Sequence, residues 1–493
     1  VDDPWDQSLL EQLRFAAETR VRPVLALPGT LAPAVTLAFR ALGASSGAEG
    51  SNQPPEVEVL ARSLADEGDA DVDVDPAVLN QSDNALVRLV NAVIGDAVRL
   101  RASDIHIETA EGQPVRIRLR IDGDLVPYLE LPPRLRFAVV ARLKIMADLD
   151  ISEHRKPQDG KIAFARFGGP KVELRMVTVP MVHGLEDVVL RLLSGLKPMP
   201  IEGIGLSPGN LQSLRGVMAK PYGLILICGP TGCGKTTTLH SVLRELNTDQ
   251  RKIWTAEDPV EITQDGLRQV QMNARIGWTF AAAMRTFLRA DPDIIIIGEM
   301  PAPETAKIAV EASLTGHLVL STLHTNSAPE SITRLLEIGL DPFMFSDSLL
   351  AILAQRLVRR LCTKCRQAET LAPHALRDLA QLYIESSAGR GETMDALIER
   401  WQRQHSDGQG RVVVYRRQGC AQCDHSGYQG RMGVHELMVA NDAARELIRH
   451  RAPAAELQAA ALATGMVTLR QDGIEKVLAG LTDLPEVLAA TNQ

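Results

Sequence analysis

The stretch GPTGCGKTTT, Gly229 to Thr238, sets glycines, a lysine and hydroxyls at the spacing G-x-x-x-x-G-K-[ST]. Gly229, Gly232 and Gly234 let backbone N–H groups turn inward around a polyphosphate. Lys235 supplies a charge for the β- and γ-phosphates, and Thr236 supplies a hydroxyl for Mg²⁺. Thr231 and Thr237 complete the nucleotide-binding set. The apolar run from Leu224 to Cys228 reads as a strand feeding the loop, and LHSVLRELN leaves it with helical spacing. Bound phosphates would therefore also meet a helix N-terminus, with its free donors and positive dipole end. A chance Gly-rich turn is the alternative, and the strand, loop and helix order weighs against it.

Two later strands end in acid. KIWTAEDPVE leaves Glu257 and Asp258 at a strand terminus, and the buried run DPDIIIIGE ends in Glu299. Ligands of α/β sheets sit at the carboxyl ends of the strands, so these carboxylates are expected to face the γ-phosphate, Mg²⁺ or the attacking water. One would position the metal and one would polarise water. The strand in TGHLVLSTLHTN is expected to bring His317 and His324 to the same region.

Four of the six cysteines form two Cys-x-x-Cys pairs, Cys362 with Cys365 and Cys420 with Cys423. Together they offer the four thiolates of a closed tetrahedral Zn²⁺ site, and a reducing compartment disfavours disulfides. The stretch between the pairs exceeds the commonest spacing, so unmetallated thiols stay open as the alternative. Cys228 lies in the apolar strand and Cys233 in the phosphate loop, where packing explains both.

These groups must be carried by several domains, because 493 residues with 45% hydrophobic and 23% charged content exceed one core. A formal net charge of -8 gives no general attraction to nucleic acid or anionic membrane. No aliphatic run in the nucleotide-binding half approaches a membrane span, and the acidic opening VDDPWDQ is unlike a signal peptide, so an intracellular protein is expected. Residues 1–45 read as part of a small α/β module, and 46–82 as a flexible acidic linker rich in Gly, Ser and Pro. Residues 83–197 combine a helical run with alternating strands such as VRIRLRIDG and KVELRMVTV, a compact mixed α+β domain. A linker at 198–209 leads to the nucleotide-binding domain, 210–493, which includes the cysteine module at 362–423.

The motifs GPTGCGKTTTLHSVLRELN, TAEDPVE, TFLRADPDIIIIGE, EASLTGHLVLSTLHTNSA, LAQRLVRRLC and GYQGRMGVHEL resemble the signatures of the secretion ATPases that power type II secretion and type IV pilus assembly. ASDIHIE, RIDGDL, KPQDGKI and HGLEDVVLRLL resemble that family's middle domain, so the likeness runs from about residue 80 to 480. It implies an α/β fold: a RecA-like P-loop ATPase domain behind a smaller mixed α+β middle domain and a small N-terminal α/β module that docks on a membrane platform. It also implies a homohexamer at the cytoplasmic face of the inner membrane, peripheral and held there through an inner-membrane platform protein. ATP would be hydrolysed between the middle and ATPase domains.

By the same resemblance, Lys235 and Thr236 bind phosphate and Mg²⁺, Glu299 is the catalytic glutamate, and Glu257 and Asp258 form an acidic box. His317 and His324 match a histidine box, and Arg175 and Arg191 match arginines that the middle domain offers to the nucleotide. Arg285 and Arg289, four apart and hence expected on one helix face, match positive residues near the phosphates or the next subunit. A tetracysteine zinc module is usual in assembly and secretion members and is lacking in retraction motors, which places this chain with the former.

One departure stands out. Where the family usually reads Gly-Glu-Ile-Arg-Asp, this chain reads GEMPAPETA, with Pro301 and Ala302 in place of the Arg and Asp; Ala282 likewise replaces a frequent arginine. An ATP-binding regulatory subunit with weak hydrolysis is therefore one rival reading. A RecA-like nucleic-acid translocase is another, but the acidic chain has no strip of interleaved aromatic and basic residues, and no nucleic-acid partner is expected.

Overall fold

The structure, a computed structural model, describes residues 79–193, 198–300, 302–387, 392–407, 409–423 and 425–492, together with Val57, Leu60, Ala61 and Leu64. The module expected at 1–45, most of the flexible linker expected at 46–82, and Pro301 lie outside the described residues. Within that linker, Val57, Leu60, Ala61 and Leu64 are helical and buried and residues 79–82 are helical, contrary to a flexible segment there.

The first body is an antiparallel six-stranded sheet behind two helices. Helix α1 (Leu79–Arg99) buries Leu86, Leu89, Val90, Val93, Ile94 and Ala97, one stripe at helical spacing. The strands are β1 (Asp104–Glu108), β2 (Val115–Ile121), β3 (Asp124–Leu131), β4 (Gln158–Ala163), β5 (Glu173–Pro180) and β6 (Glu186–Leu193), in the order β3-β2-β1-β6-β5-β4. Alternation in VRIRLRI buries Val115, Ile117 and Leu119 and turns Arg116, Arg118 and Arg120 to the other face. Helix α2 (Arg136–Met146) adds Val139 and Leu143, which line one small cavity with Leu89, Val93, Ile117 and Leu190, so both helices cover the same side. Each such side chain contributes about 1.5–3 kcal/mol by leaving water. The opposite, charged face stays open.

The second body is a seven-stranded sheet of β7 (Gly223–Cys228), β8 (Ile253–Glu257), β9 (Arg268–Gln271), β10 (Ile294–Ile297), β11 (Leu318–Leu323), β12 (Leu349–Leu361) and β15 (Tyr428–Val439), ordered β15-β12-β7-β11-β10-β8-β9. All pairs are parallel except β12 with β15. The runs GLILIC, IIII and LVLSTL are buried along their whole length, as strands covered on both faces must be. One face is covered by helices α3 (Pro208–Met218) and α4 (Lys235–Leu246), the other by α5 (Phe280–Phe287), α6 (Pro303–Leu314) and α7 (Ala328–Glu337). Ile201 and Ile204, within the segment that composition marks as a linker, are buried in the α3/α4 core.

A short helix, α8 (Pro342–Ser348), enters β12. Beyond β12, the stretch between the cysteine pairs folds as a hairpin of β13 (Gln367–Thr370) and β14 (Val413–Arg416) enclosing α9 (Pro373–Glu385) and α10 (Met394–His405). Trp401, Leu397 and Leu376 give it a core, completed by Ile474 and Val487 from the C-terminal helices α13 (Leu469–Leu478) and α14 (Leu484–Thr491), which follow α11 (Asp442–Arg449) and α12 (Ala454–Ala463). The unusual cysteine spacing is thus a folded insertion. At the turn between β2 and β3, Asp122 accepts from the Gly430 amide at 2.8 Å and Asp124 pairs with Arg359 of β12, joining the two bodies. Among the described residues no helix is long and apolar enough to cross a membrane.

Candidate active site

Strand β7 ends at Cys228, and the chain turns through Gly229–Gly234 into α4. A Cβ on Gly229 would lie 2.5 Å from Cys233 Sγ and 2.6 Å from the Gln355 carbonyl oxygen, so only glycine fits where the loop crosses β12. Gly234 takes a positive φ of 89° as the N-cap of α4. Thr231 and Gly232 are exposed at the tip, while Thr236 and Thr237 are half-buried in the first turn. Lys235 folds back, donating from Nζ to the carbonyls of Gly229 at 2.8 Å and Pro230 at 3.1 Å. Burial holds its ammonium below the ordinary lysine range.

Beneath the loop, Gln355 Nε2 donates to the Cys233 carbonyl at 2.6 Å and its Oε1 accepts from Thr238 Oγ1 at 2.7 Å. Arg356, also buried, donates to Asn326 and to the Gln355 carbonyl. Both belong to the motif LAQRL, whose likeness was visible but whose job was not.

Because β11 lies between β7 and β10, the residues after β10 and β11 stand beside the phosphate loop. Glu299 follows β10 and His324 follows β11; their side chains approach to 3.5 Å, each about half exposed. The backbone around Glu299 is held from both sides, with Gly298 N donating to Ala256 O and Met300 N to Thr322 O.

Glu257, at the end of β8, is buried rather than open. It accepts from Thr255 Oγ1 at 2.6 Å and Gln269 Nε2 at 3.0 Å, and His240 Nε2 of α4 lies 3.4 Å from its other oxygen. Gln264 donates to His240 Nδ1, which leaves the imidazole proton on Nε2, facing Glu257. Burial alone would raise the Glu257 carboxyl, but the bonds from His240, Gln269 and Thr255 outweigh it and hold it below the ordinary value of 4.5. Asp258 is exposed. Nothing in the sequence marks His240, since a histidine on a helix acquires a partner only when the sheet is assembled.

Two expectations fail. His317 and His324 sit at opposite ends of β11, about 23 Å apart at about 3.3 Å per residue. His317 instead bonds through Nδ1 to the Ala312 carbonyl at 3.0 Å, closing the C-terminus of α6. Arg285 and Arg289 do not share a helix face, because α5 ends at Phe287 and Arg289 lies past its C-cap, Leu288. Arg285 pairs with Glu304 in the first turn of α6, the helix that follows the Glu299 loop.

On the six-stranded sheet, Arg175 of β5 and Arg191 of β6 are direct cross-strand partners on the open face. Among the described residues, no hydrogen bond or ion pair joins either to the phosphate loop. A cleft of about 1010 Å³ does lie between the two bodies, lined by Lys171 and Glu173 on one side and Arg244, Glu261 and Asp265 on the other.

The four paired cysteines converge: Cys362 and Cys420 sulfurs are 3.9 Å apart, Cys365 and Cys423 3.8 Å, Cys420 and Cys423 3.7 Å, and all lie within 4.8 Å of one another. A tetrahedral Zn²⁺ with bonds of about 2.3 Å requires sulfurs about 3.8 Å apart. Amides of Gly419, Cys420 and Gly427 point at these sulfurs at 3.2–3.3 Å and would steady thiolates. The donor set therefore fits a metal. Cys228 and Cys233 are buried apart from the cluster, as packing residues would be.

Residues 80–489 match the family model described as type II/IV secretion system protein. The chain is 42% identical over 415 residues to the type II secretion system ATPase E of Vibrio cholerae, covering 84% of this chain and 77% of that protein. It is 40% identical over 492 residues to the type IV pilus assembly ATPase PilB of Myxococcus xanthus, covering 99% of this chain and 81% of that protein. The X-ray structure of the Legionella pneumophila ATPase DotB shares the fold with a TM-score of 0.56 at 20% identity, over 85% of this chain and 97% of that one. The fold is accordingly α/β, with a RecA-like P-loop domain behind a smaller mixed α+β domain.

Proposed function

The chain belongs to the type II/IV secretion system protein family, and from that membership we propose that it is an ATPase motor that drives assembly of a type II secretion pseudopilus or a type IV pilus. The observation that carries this reading is the meeting of the phosphate loop, Glu299 and His324 at the carboxyl ends of three neighbouring strands, β7, β10 and β11. In this reading Lys235 exchanges the carbonyls of Gly229 and Pro230 for the β- and γ-phosphate oxygens of ATP, a stronger partnership for a partly buried ammonium. Glu299 takes the proton of the attacking water, and His324 orients that carboxylate. Thr236 would hold Mg²⁺, which supplies positive charge to the transferring phosphoryl group. Arg175, Arg191 and Arg285 add cations around the same charge, and Glu257 holds β8 to the phosphate-loop helix through His240.

The same reading gives the working protein as a homohexamer at the cytoplasmic face of the inner membrane, attached through a platform protein. Cys362, Cys365, Cys420 and Cys423 hold one Zn²⁺ as a structural ion. The test is steady-state ATP hydrolysis with parallel nucleotide titration. Lys235→Ala should lose both binding and turnover, whereas Glu299→Gln should keep ATP bound and stop hydrolysis. Equal loss of binding in the two variants, or full turnover in Glu299→Gln, would overturn the assigned roles.

A further inference from the structure

Five polar residues form one cross-strand row on the open face of the six-stranded sheet. Arg120 of β2 is opposite Asp104 of β1, Asp104 opposite Arg191 of β6, Arg191 opposite Arg175 of β5, and Arg175 opposite Lys161 of β4. Four cations thus share the row with one carboxylate. Lys161 finds its own partner in Glu173, at 3.2 Å. Asp104 is 5% exposed, while the side chains of Arg120 and Arg191 on either side are 38% and 59% exposed.

The buried carboxylate is fully engaged. Oδ1 accepts from Arg191 Nε at 2.9 Å, Oδ2 accepts from Ser103 Oγ at 2.8 Å, and Arg120 Nε lies 3.9 Å from Oδ2. Because Arg191 is held through Nε, its two Nη groups make no hydrogen bond among the described residues and face out as a fork. That fork fits two oxygens of one phosphate. Arg175 has no hydrogen-bond or ion-pair partner among the described residues, although it stands directly opposite a like charge, an arrangement that costs stability until an anion arrives.

We infer that Asp104 is a positioning residue: it pins the Nε edge of Arg191 so that the Nη fork is already aimed when a phosphate oxygen reaches it. This rests on the reading above in which Arg191 serves the nucleotide. A flexible arginine would otherwise have to be ordered at each turnover, and Arg175 alone would repel it from the shared position.

The test is ATP hydrolysis by the full chain carrying Asp104→Asn, Arg191→Ala or both, with thermal unfolding recorded for each. The amide keeps the shape but loses the charge-assisted bond, so kcat should fall about tenfold with KM for ATP nearly unchanged. The double variant should be no slower than Arg191→Ala, because Asp104 acts through Arg191. If Asp104→Asn does not fold, Ser103→Ala replaces it: freeing Oδ2 lets the carboxylate turn, and kcat should fall about threefold, again only while Arg191 is present. Unchanged kcat in Asp104→Asn, or losses that multiply in the double variant, would overturn this inference while leaving the role of Arg191 intact. Unchanged kcat in Arg191→Ala would remove both.

Discussion

Gln355 reaches from β12 into the phosphate loop and bonds at once to the Cys233 carbonyl, 2.6 Å away, and to the Thr238 hydroxyl, 2.7 Å away. One buried amide therefore holds the shape of a loop that must present its backbone to phosphates.

Replacing it with methionine keeps the volume and strands both partners. Each orphaned buried group costs about 1–3 kcal/mol, and part of that falls on the nucleotide-ready loop. The dissociation constant for ATP should rise about tenfold, while Glu299 and its surroundings are untouched. Titration with a fluorescent ATP analogue checks this; an unaltered affinity would show that the loop keeps its form without the clamp.

The Glu257 contact makes a prediction about acid. Its folded-state pKa lies below the ordinary 4.5, so its stabilisation is fully present above that value and is lost as pH falls through the lowered one. Glu257→Gln should be less stable than the parent above pH 4.5, and the gap should close on acidification. Denaturant unfolding at several pH values measures it. A gap independent of pH would assign the loss to packing rather than charge.

The cysteine cluster should yield about one zinc per chain on elemental analysis, and any of the four Cys→Ser changes should abolish it. Because metal affinity in such sites is folding free energy, chelation should unfold the insertion of α9 and α10 first. Proteolysis between Cys365 and Cys420, appearing only after chelation, is the expected sign. Freshly purified protein without zinc would sink the assignment.

Ala302 is the N-cap of α6, with extended dihedrals and no side-chain capping bond. Ala302→Asp should therefore stabilise the chain by about 0.5–2 kcal/mol through a new acceptor for the first-turn amides. Together with Pro301→Arg it should also raise the rate of hydrolysis, because that change puts a cation beside the Glu299 loop. Arg285, already tied to Glu304 there, is the existing candidate for that charge. If the double variant turns over no faster than its parent, Arg285 suffices.

What could be read directly from the residues was local chemistry in sequential order. The runs ending in Cys228 and Glu257 became strands that stop there, the strand expected to end in Glu299 stops two residues earlier at Ile297, and the phosphate loop joined strand to helix as its spacing implied. The four cysteines met despite the long segment between them, which proved to be a hairpin with two helices and a buried Trp401. The failures were of direction and of non-local pairing. His317 and His324 flank the same strand, and nothing in TGHLVLSTLHTN says which end faces the loop until the parallel order of the sheet is known. His240, Gln355 and Asp104 owe their partners to neighbours distant in sequence, so their types alone were silent.

The thirteen residues of β12 act as a ruler. Gln355 meets the phosphate loop, Arg359 meets Asp124 and Glu486, and Cys362 follows the last residue of the strand. With side chains alternating every residue, deleting one position between Gln355 and Arg359 would turn one of those contacts to the wrong face of the sheet. The connection between α9 and α10, inside the insertion, has the opposite tolerance, since the ends of the insertion are fastened at the cysteine cluster and by the β13–β14 pairing, and no paired strand spans that connection. A reporter domain grafted between Glu385 and Met394 should leave ATP turnover intact, whereas a single-residue deletion in β12 should abolish it.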